Sequence, residues 1–289
     1  MFDKCGAKVP PGEGLSYAAH LPNLYKDKLP IESAVFRQSP ERVVALKTLT
    51  AAALCDPVRR ARFLREARAG AAVSHPHVVP MYQYGEISGY PVIVMPFLKG
   101  RPLSDLIVRG APLPLGAVLR IGAEVADALE GVHAAGVVHR DVKPDNLFLC
   151  GAARRLALLD FSAAAPDGAR GPAWEQLTEP GGLIGTPAFM SPEMVQGRAV
   201  DCRADLFGLG AVLYLITTGR SPFACGSLYA TIAAIAVVCP PDPIEVNAAV
   251  PQGLSSLIMR LLAKRPGERP GSSSLVGATL RQLAAQHTV

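Results

Sequence analysis

The sequence has no Cys-x-x-Cys pair. Its six cysteines, Cys5, Cys55, Cys150, Cys202, Cys225 and Cys239, stand far apart, which argues against a structural zinc site. No apolar run approaches the ~20 residues of a membrane helix. The longest, Ala230 to Val238, is interrupted by Thr231. The start, Met1 to Pro10, carries no apolar core of the kind a secretory signal needs. Dispersed thiols without such a signal fit a reducing compartment, and a cytoplasmic chain is expected. Aromatic residues are scarce, at 6 % with one Trp, so base-stacking platforms are not expected. The charge is mild: 29 Lys and Arg against 24 Asp and Glu give +5. A nucleic-acid binder would show a larger, clustered excess. Neither nucleic acid nor a membrane is therefore expected as a partner.

What is present is a globular composition. Hydrophobic residues make up 49 % and charged residues 18 %, enough apolar content for a core, so disorder of the whole chain is excluded. The 27 glycines and 26 prolines imply many turns, without a collagen-like period. A chain of 289 residues can form one large domain or two lobes of a divided one.

The pattern along the chain changes once. Residues 1–22 mix Gly, Pro and single charges without a period and read as an extended or disordered leader. From there to residue 98 the chain is β-rich. Arg42 to Lys47 and Pro91 to Met95 read as strands. Between them Pro57 to Val73 reads as a helix, opened by Asp56-Pro57, with Phe63, Ala67 and Gly70 at helical spacing. Past a connector at Phe97 to Arg101, residues 99–286 are mostly helical. Leu115 to Ala135 is apolar at helical spacing. Val137-Val138, Leu147 to Leu149 and Leu156 to Leu159 read as short strands around a polar loop. Ala163 to Pro187 has no period, and so long an irregular stretch in a compact domain is usually functional. Ala204 to Thr218, Leu228 to Val238, Leu254 to Ala263 and Ser273 to Gln286 read as helices.

The most specific signal is the polar loop itself, His139-Arg140-Asp141-Val142-Lys143-Pro144-Asp145-Asn146. Asp160-Phe161-Ser162 and Ser191-Pro192-Glu193 follow it, and Val44-Ala45-Leu46-Lys47 and Glu66 precede it. Each of these residues alone has a plain reading. A lysine at a strand end is usually solvated, a helical glutamate usually lies at the surface, and loop Asp and Asn residues often cap turns. The ordered set does not read as a series of accidents.

These strings resemble the protein kinase family, and within it the eukaryotic-like serine/threonine kinases of bacteria, from about Leu24 to Leu283. The resemblance implies an α+β, two-lobed protein kinase fold, with a small β-rich lobe over 23–98 and a larger, mainly helical lobe over 99–286. It implies a non-specific serine/threonine protein kinase that moves the γ-phosphate of Mg-ATP to protein hydroxyls. Such catalysis is mainly positioning and charge neutralisation.

By the same resemblance Asp141 orients the acceptor hydroxyl and takes its proton. Lys143 touches the transferring phosphate, and Thr186 helps seat the acceptor. Asn146 and Asp160 hold Mg2+ as hard oxygen ligands. Lys47 grips the α- and β-phosphates, with Glu66 as its ion-pair partner, a pair that a helix shift can break. Val35, Ala45, Met95, Pro96, Leu98 and Phe148 surround the adenine, although Phe148 reads equally well as ordinary core. Pro96 keeps a carbonyl acceptor and Leu98 an N–H donor.

His139 is expected as a packed support, Asp205 as an anchor of the loop, and Glu193 as the buried partner of Arg269. Arg140 invites a phosphorylated residue in the segment Asp160 to Glu193, for which Thr178 is the candidate. The implied partners are ATP, protein substrates and a second copy for autophosphorylation. The chain reads equally as a stand-alone kinase or as a piece of a longer receptor.

Two departures open an alternative. Where the family carries a glycine-rich phosphate loop, Leu29 to Phe36 has no glycine. Glycines there let backbone N–H groups approach phosphates, whereas Pro30 removes a donor and Glu32 adds negative charge. Weakened nucleotide binding, or a differently shaped lid, is expected. Ser162 stands where the family usually has glycine and should stiffen that hinge. The alternative is a pseudokinase, a binding or scaffolding module. A small-molecule kinase is disfavoured by Lys143 and by the Gly185-Thr186-Pro187 segment.

Overall fold

A computed structural model describes residues 15–17, 31–38, 42–49, 51–87, 90–107, 111–151, 154–169 and 187–287. The chain divides into two units, Met1–Ser74 with Val79–Lys99, and His75–Val78 with Gly100–Val289.

The first unit is an antiparallel sheet of five strands. They are β1 (Leu15–Tyr17), β2 (Ile31–Gln38), β3 (Arg42–Leu49), β4 (Gln83–Ile87) and β5 (Tyr90–Pro96), in the order β1-β2-β3-β5-β4. Two helices, α1 (Ala51–Leu54) and α2 (Pro57–Ala71), join β3 to β4. Helix α2 starts where Asp56 and Pro57 predict. The Asp56 carboxylate accepts from Val58 N at 2.8 Å and Arg59 N at 3.3 Å, satisfying N–H groups that have no partner within the helix. It ends at Ala71, two residues earlier than its periodicity suggests.

Phe63, Glu66, Ala67 and Gly70 form the buried stripe of α2. Phe63 and Ala67 join Leu49, Ala53 and Ile93 in one core. Val44, Leu46 and Val92 make a second cluster on the opposite face of the sheet. Strand β3 is thus buried on both faces, so its apolar run is nearly continuous. Strand β4 escapes sequence reading because Gln83, Tyr84, Gly85 and Glu86 are all exposed at the sheet edge and show no apolar alternation.

The second unit contains β6 (Gly100–Pro102), α3 (Leu115–Ala134), β7 (Val137–Val138), β8 (Leu147–Cys150), β9 (Arg155–Leu158) and β10 (Ala165–Pro166). It continues with α4 (Pro192–Val195), α5 (Arg203–Thr218), α6 (Leu228–Val237), α7 (Pro243–Val246), α8 (Gln252–Leu261) and α9 (Ser273–His287). Strands β6, β8 and β9 form one small antiparallel sheet, and β10 pairs with β7. Helix α5 is buried almost all round, as the central helix of a packed bundle must be. Helices α3, α5 and α9 meet at Gly122. A Cβ there would lie 2.9 Å from Leu213 and 3.0 Å from Leu280. Helix α5 ends at Gly219, whose φ of 69° costs a glycine little.

Lys264 is a half-buried lysine packed against the core rings of Phe207 and Phe223. Its ammonium lies 4.1 Å from the centroid of the Phe223 ring and donates to Ile235 O at 2.8 Å. Burial lowers its pKa to about 8, with the charge of Arg269 acting in the same direction. Between pH 8 and the ordinary lysine range the unfolded chain binds the extra proton, so stability rises with pH there. Denaturant titrations at pH 8 and pH 10 should show that gain, and Lys264→Met should abolish it. An identical pH slope in the two proteins would show that the ammonium is solvated.

Candidate active site

The predicted residues fall in both units, and each unit assembles its own set. In the first, Lys47 on β3 and Glu66 on α2 form an ion pair, with Lys47 Nζ donating to Glu66 Oε1. Both are almost fully buried, so the pair is shielded from salt and water. Strand register puts Val35, Ala45 and Met95 in one row across β2, β3 and β5, next to the row of Ser33, Lys47 and Ile93. Residues in one row share a face of the sheet. Ala45 and Met95 are half-buried, and Met95 packs against the core of Phe63 and Ile93. Pro96 closes β5 opposite Val44, and Leu98 follows it, half-buried. Of the glycine-free stretch, Ile31 to Phe36 lies in β2 and pairs with β3 throughout. Leu29 and Pro30 lie outside the described residues.

In the second unit the polar loop joins β7 to β8. Its anchor is Asp205 at the start of α5, which is 1 % exposed. One carboxylate oxygen accepts from His139 N at 2.8 Å and the other from Arg140 N at 2.7 Å. His133, in the last turn of α3, reaches the same carboxylate through Nε2 at 2.8 Å. Burial by itself would raise the pKa of Asp205, but these donors and the nearby imidazoles hold it below the usual carboxylate range. His139 is fully buried, with Nε2 against Leu159 O at 3.0 Å and Nδ1 accepting from Asp141 N at 3.3 Å. The ring stands edge-on to Phe161, with centroids 5.1 Å apart. It spaces the loop rather than facing solvent.

Arg140 and Asp160 both have left-handed backbones, with φ of 66° and 61°. Non-glycine residues adopt that region at a cost of about 1–3 kcal/mol and cluster at functional sites. Between these two strained points lie the predicted side chains. Lys143 Nζ donates to Asp141 Oδ2 at 2.6 Å. Asn146 Nδ2 donates to the same oxygen and to Asp141 O, each at 2.8 Å. Among the described residues no donor reaches Asp141 Oδ1. Asn146 O accepts from Leu159 N at 2.8 Å, which fixes the loop beside Asp160. The Asp160 carboxylate accepts from Ser162 N at 3.0 Å.

Phe148 is buried in β8 between Pro102 and Ala157. Arg140 donates to Ala169 O at 2.6 Å. Glu193 and Arg269 form a two-pronged pair at 2.7 and 2.8 Å, and Arg269 also binds Ala263 O and Arg203 O. Thr186 and Thr178 lie outside the described residues. The residue that sequence reading missed is His133. It stands six positions before His139, but its role exists only because α5 brings Asp205 to it.

A protein kinase domain model matches residues 33–280. The chain belongs to the protein kinase family. It is 40 % identical over 247 residues to serine/threonine-protein kinase Pkn1 of Myxococcus xanthus, covering 84 % of this chain and 35 % of that one. It is 39 % identical over 231 residues to the DNA damage-responsive serine/threonine-protein kinase RqkA of Deinococcus radiodurans, covering 78 % and 33 %. The kinase thus spans about a third of the length of these curated relatives. Among solved structures, the PknI kinase domain of Mycobacterium tuberculosis superposes with a TM-score of 0.68 at 27 % identity, covering 89 % of this chain and 91 % of that one. These matches place the kinase in the bacterial, eukaryotic-like serine/threonine branch, and with it the use of ATP and a divalent metal. No finding favours the pseudokinase alternative. None of the described helices is long and apolar enough to cross a membrane.

Proposed function

We propose that this kinase transfers the γ-phosphate of ATP, with Mg2+ as its divalent ion, to serine and threonine hydroxyls of proteins. The observation that carries the assignment is the Asp141 carboxylate. Lys143 and Asn146 hold one of its oxygens, and the other has no donor among the described residues. A carboxylate so fixed can accept a hydroxyl proton without reorganising. The hydroxyl oxygen then bonds to the γ-phosphorus as the bond to the leaving ADP oxygen breaks. Lys143 stands beside the incoming phosphoryl charge.

The metal fit rests on donor chemistry. Asn146 spends its amide N–H groups on Asp141, which leaves its amide oxygen as a hard ligand, with the Asp160 carboxylate as the second. A bound Mg2+ supplies charge neutralisation on the phosphates. Lys47, held by Glu66, contacts the α- and β-phosphates. Val35, Ala45, Met95, Pro96, Leu98 and Phe148 take the base, and Thr186 seats the acceptor. Thr178 is the proposed site of autophosphorylation by a second copy, whose phosphate would meet Arg140. The described cysteines are all free thiols, which supports action in the cytoplasm.

Incubation with Mg-ATP and a generic acceptor protein, read by mass spectrometry, should give phosphoserine and phosphothreonine. Lys47→Met should lower transfer by about 100-fold or more, since it removes charge stabilisation of the reacting phosphates. Transfer by Lys47→Met equal to that of the unaltered kinase would refute the role of the lysine.

A further inference from the structure

We propose that the outward face of helix α2 docks an acidic, partly apolar segment of a partner protein. Docking there needs neither ATP nor the residues around Asp141, so it stands apart from the phosphoryl transfer proposed above.

Helix α2 carries five arginines, Arg59, Arg60, Arg62, Arg65 and Arg68, and all are exposed. Its one acid, Glu66, belongs to the buried stripe and is paired with Lys47. Arg59, Arg62, Arg65 and Arg68 recur at every third position, so each stands beside the next on the helix surface. They make a basic strip about 14 Å long at 1.5 Å per residue.

Most of this charge has no partner in the first unit. Arg59 pairs with Asp56, and Arg60 with Glu86. Arg62, Arg65 and Arg68 form no hydrogen bond or ion pair among the described residues. Like charges at this spacing weaken a helix. Arg59 and Arg60 also stand near its N-terminus, where the macrodipole favours acids, and the first turn holds none. Carboxylates brought by a partner relieve both effects.

The strip borders an apolar depression. Pro57, Val58, Ala61 and Leu64 line it together with Arg65 and Arg68, around a volume of about 540 Å3. By helical spacing these residues lie away from Phe63, Ala67 and Gly70, which face the core. Val58 is 66 % exposed, so its side chain adds nothing to the packing of the unit.

Two features select the occupant. Guanidinium groups take carboxylates in a two-pronged fork, and the apolar floor between them takes a leucine-like side chain. A second copy would bring the same arginines to this face and be repelled. A lipid surface calls for a broad apolar face on the helix, whereas the apolar residues here line a hollow beside cations. Nucleic acid calls for a wider basic field than one helix in a chain of net charge +5.

The probe is a fluorescein-labelled helical peptide with glutamates and leucines on one face, titrated with the whole chain and read by anisotropy. It should bind about tenfold more tightly than its counterpart with lysine for glutamate, as two exposed ion pairs would give. Added salt should erase that margin. The double variant Arg65→Glu with Arg68→Glu should reverse the preference towards the lysine peptide, a gain that misfolding cannot produce. Equal affinity for the two peptides, or an unchanged preference in the double variant, overturns the proposal. A peptide with alanine for leucine should bind more weakly, and equal binding would overturn the assignment of the depression. Phosphatidylglycerol vesicles or an oligonucleotide bound more tightly than the peptide, and released by the double variant, would overturn the choice of a protein partner.

Discussion

Asp141→Asn should retain the fold and lose nearly all phosphate transfer. The amide can still accept hydrogen bonds from Lys143 and Asn146 at the oxygen they now share. It cannot take the proton of the attacking hydroxyl. A positioned general base contributes about 10²–10⁴ in rate, so kcat should fall by that factor with the melting temperature within a degree or two. Lys143→Met should give a smaller loss, because it removes a charge beside the phosphoryl group and leaves the base in place. Single-turnover assays with radiolabelled ATP would check both. Equal rates for Asp141→Asn and the unaltered kinase would refute the proposed chemistry, whatever the fold.

Arg269→Ala should unfold the kinase more readily than any change at the phosphate-handling residues. Its guanidinium is buried against the ring of Phe207, 5.0 Å away, and is held by Glu193 and three backbone carbonyls. Removing it leaves the Glu193 carboxylate inside the protein without a counter-charge. Breaking a buried pair from one side costs about 3–5 kcal/mol. For a unit of this size that corresponds to a fall of about 10 °C in melting temperature. The double replacement Glu193→Leu with Arg269→Met should recover much of the loss, because it removes the stranded charge together with its partner. Thermal denaturation of the three proteins would show whether desolvation, rather than the pair itself, sets the cost. A fall of only a degree or two in Arg269→Ala would mean that water reaches Glu193.

The chemistry was legible early because it is local. Asp141, Lys143 and Asn146 lie within six residues, and the turn that brings them together is short enough for the string to report it. Helices α3 and α9 were legible because their buried faces repeat at helical period, and α5, buried almost all round, because its apolar run is too long for a strand. Strand β2 was not, because its residues stand where the family's phosphate loop was expected. Its pairing with β3 is a contact across the sheet that no alternation within 31–38 announces. Strand β4 was hidden by its exposed polar residues. The leader was read without a strand, yet Leu15–Tyr17 pairs with Phe36 to Gln38, a register set by a segment some twenty residues away.

The amino-acid order by itself determined the kind of chemistry, since a charged loop of fixed spacing and an amphipathic period are properties of neighbouring residues. Only the tertiary structure decided what steadies that loop. Asp205 holds the backbone of His139 and Arg140 from sixty-six and sixty-five positions away, His133 joins it from another helix, and Arg140 and Asp160 keep left-handed backbones that an isolated peptide would relax. The physical reason is that local pattern encodes the preferences of a short segment, whereas a buried carboxylate or a strained backbone persists only when the packing of the whole unit supplies its partners.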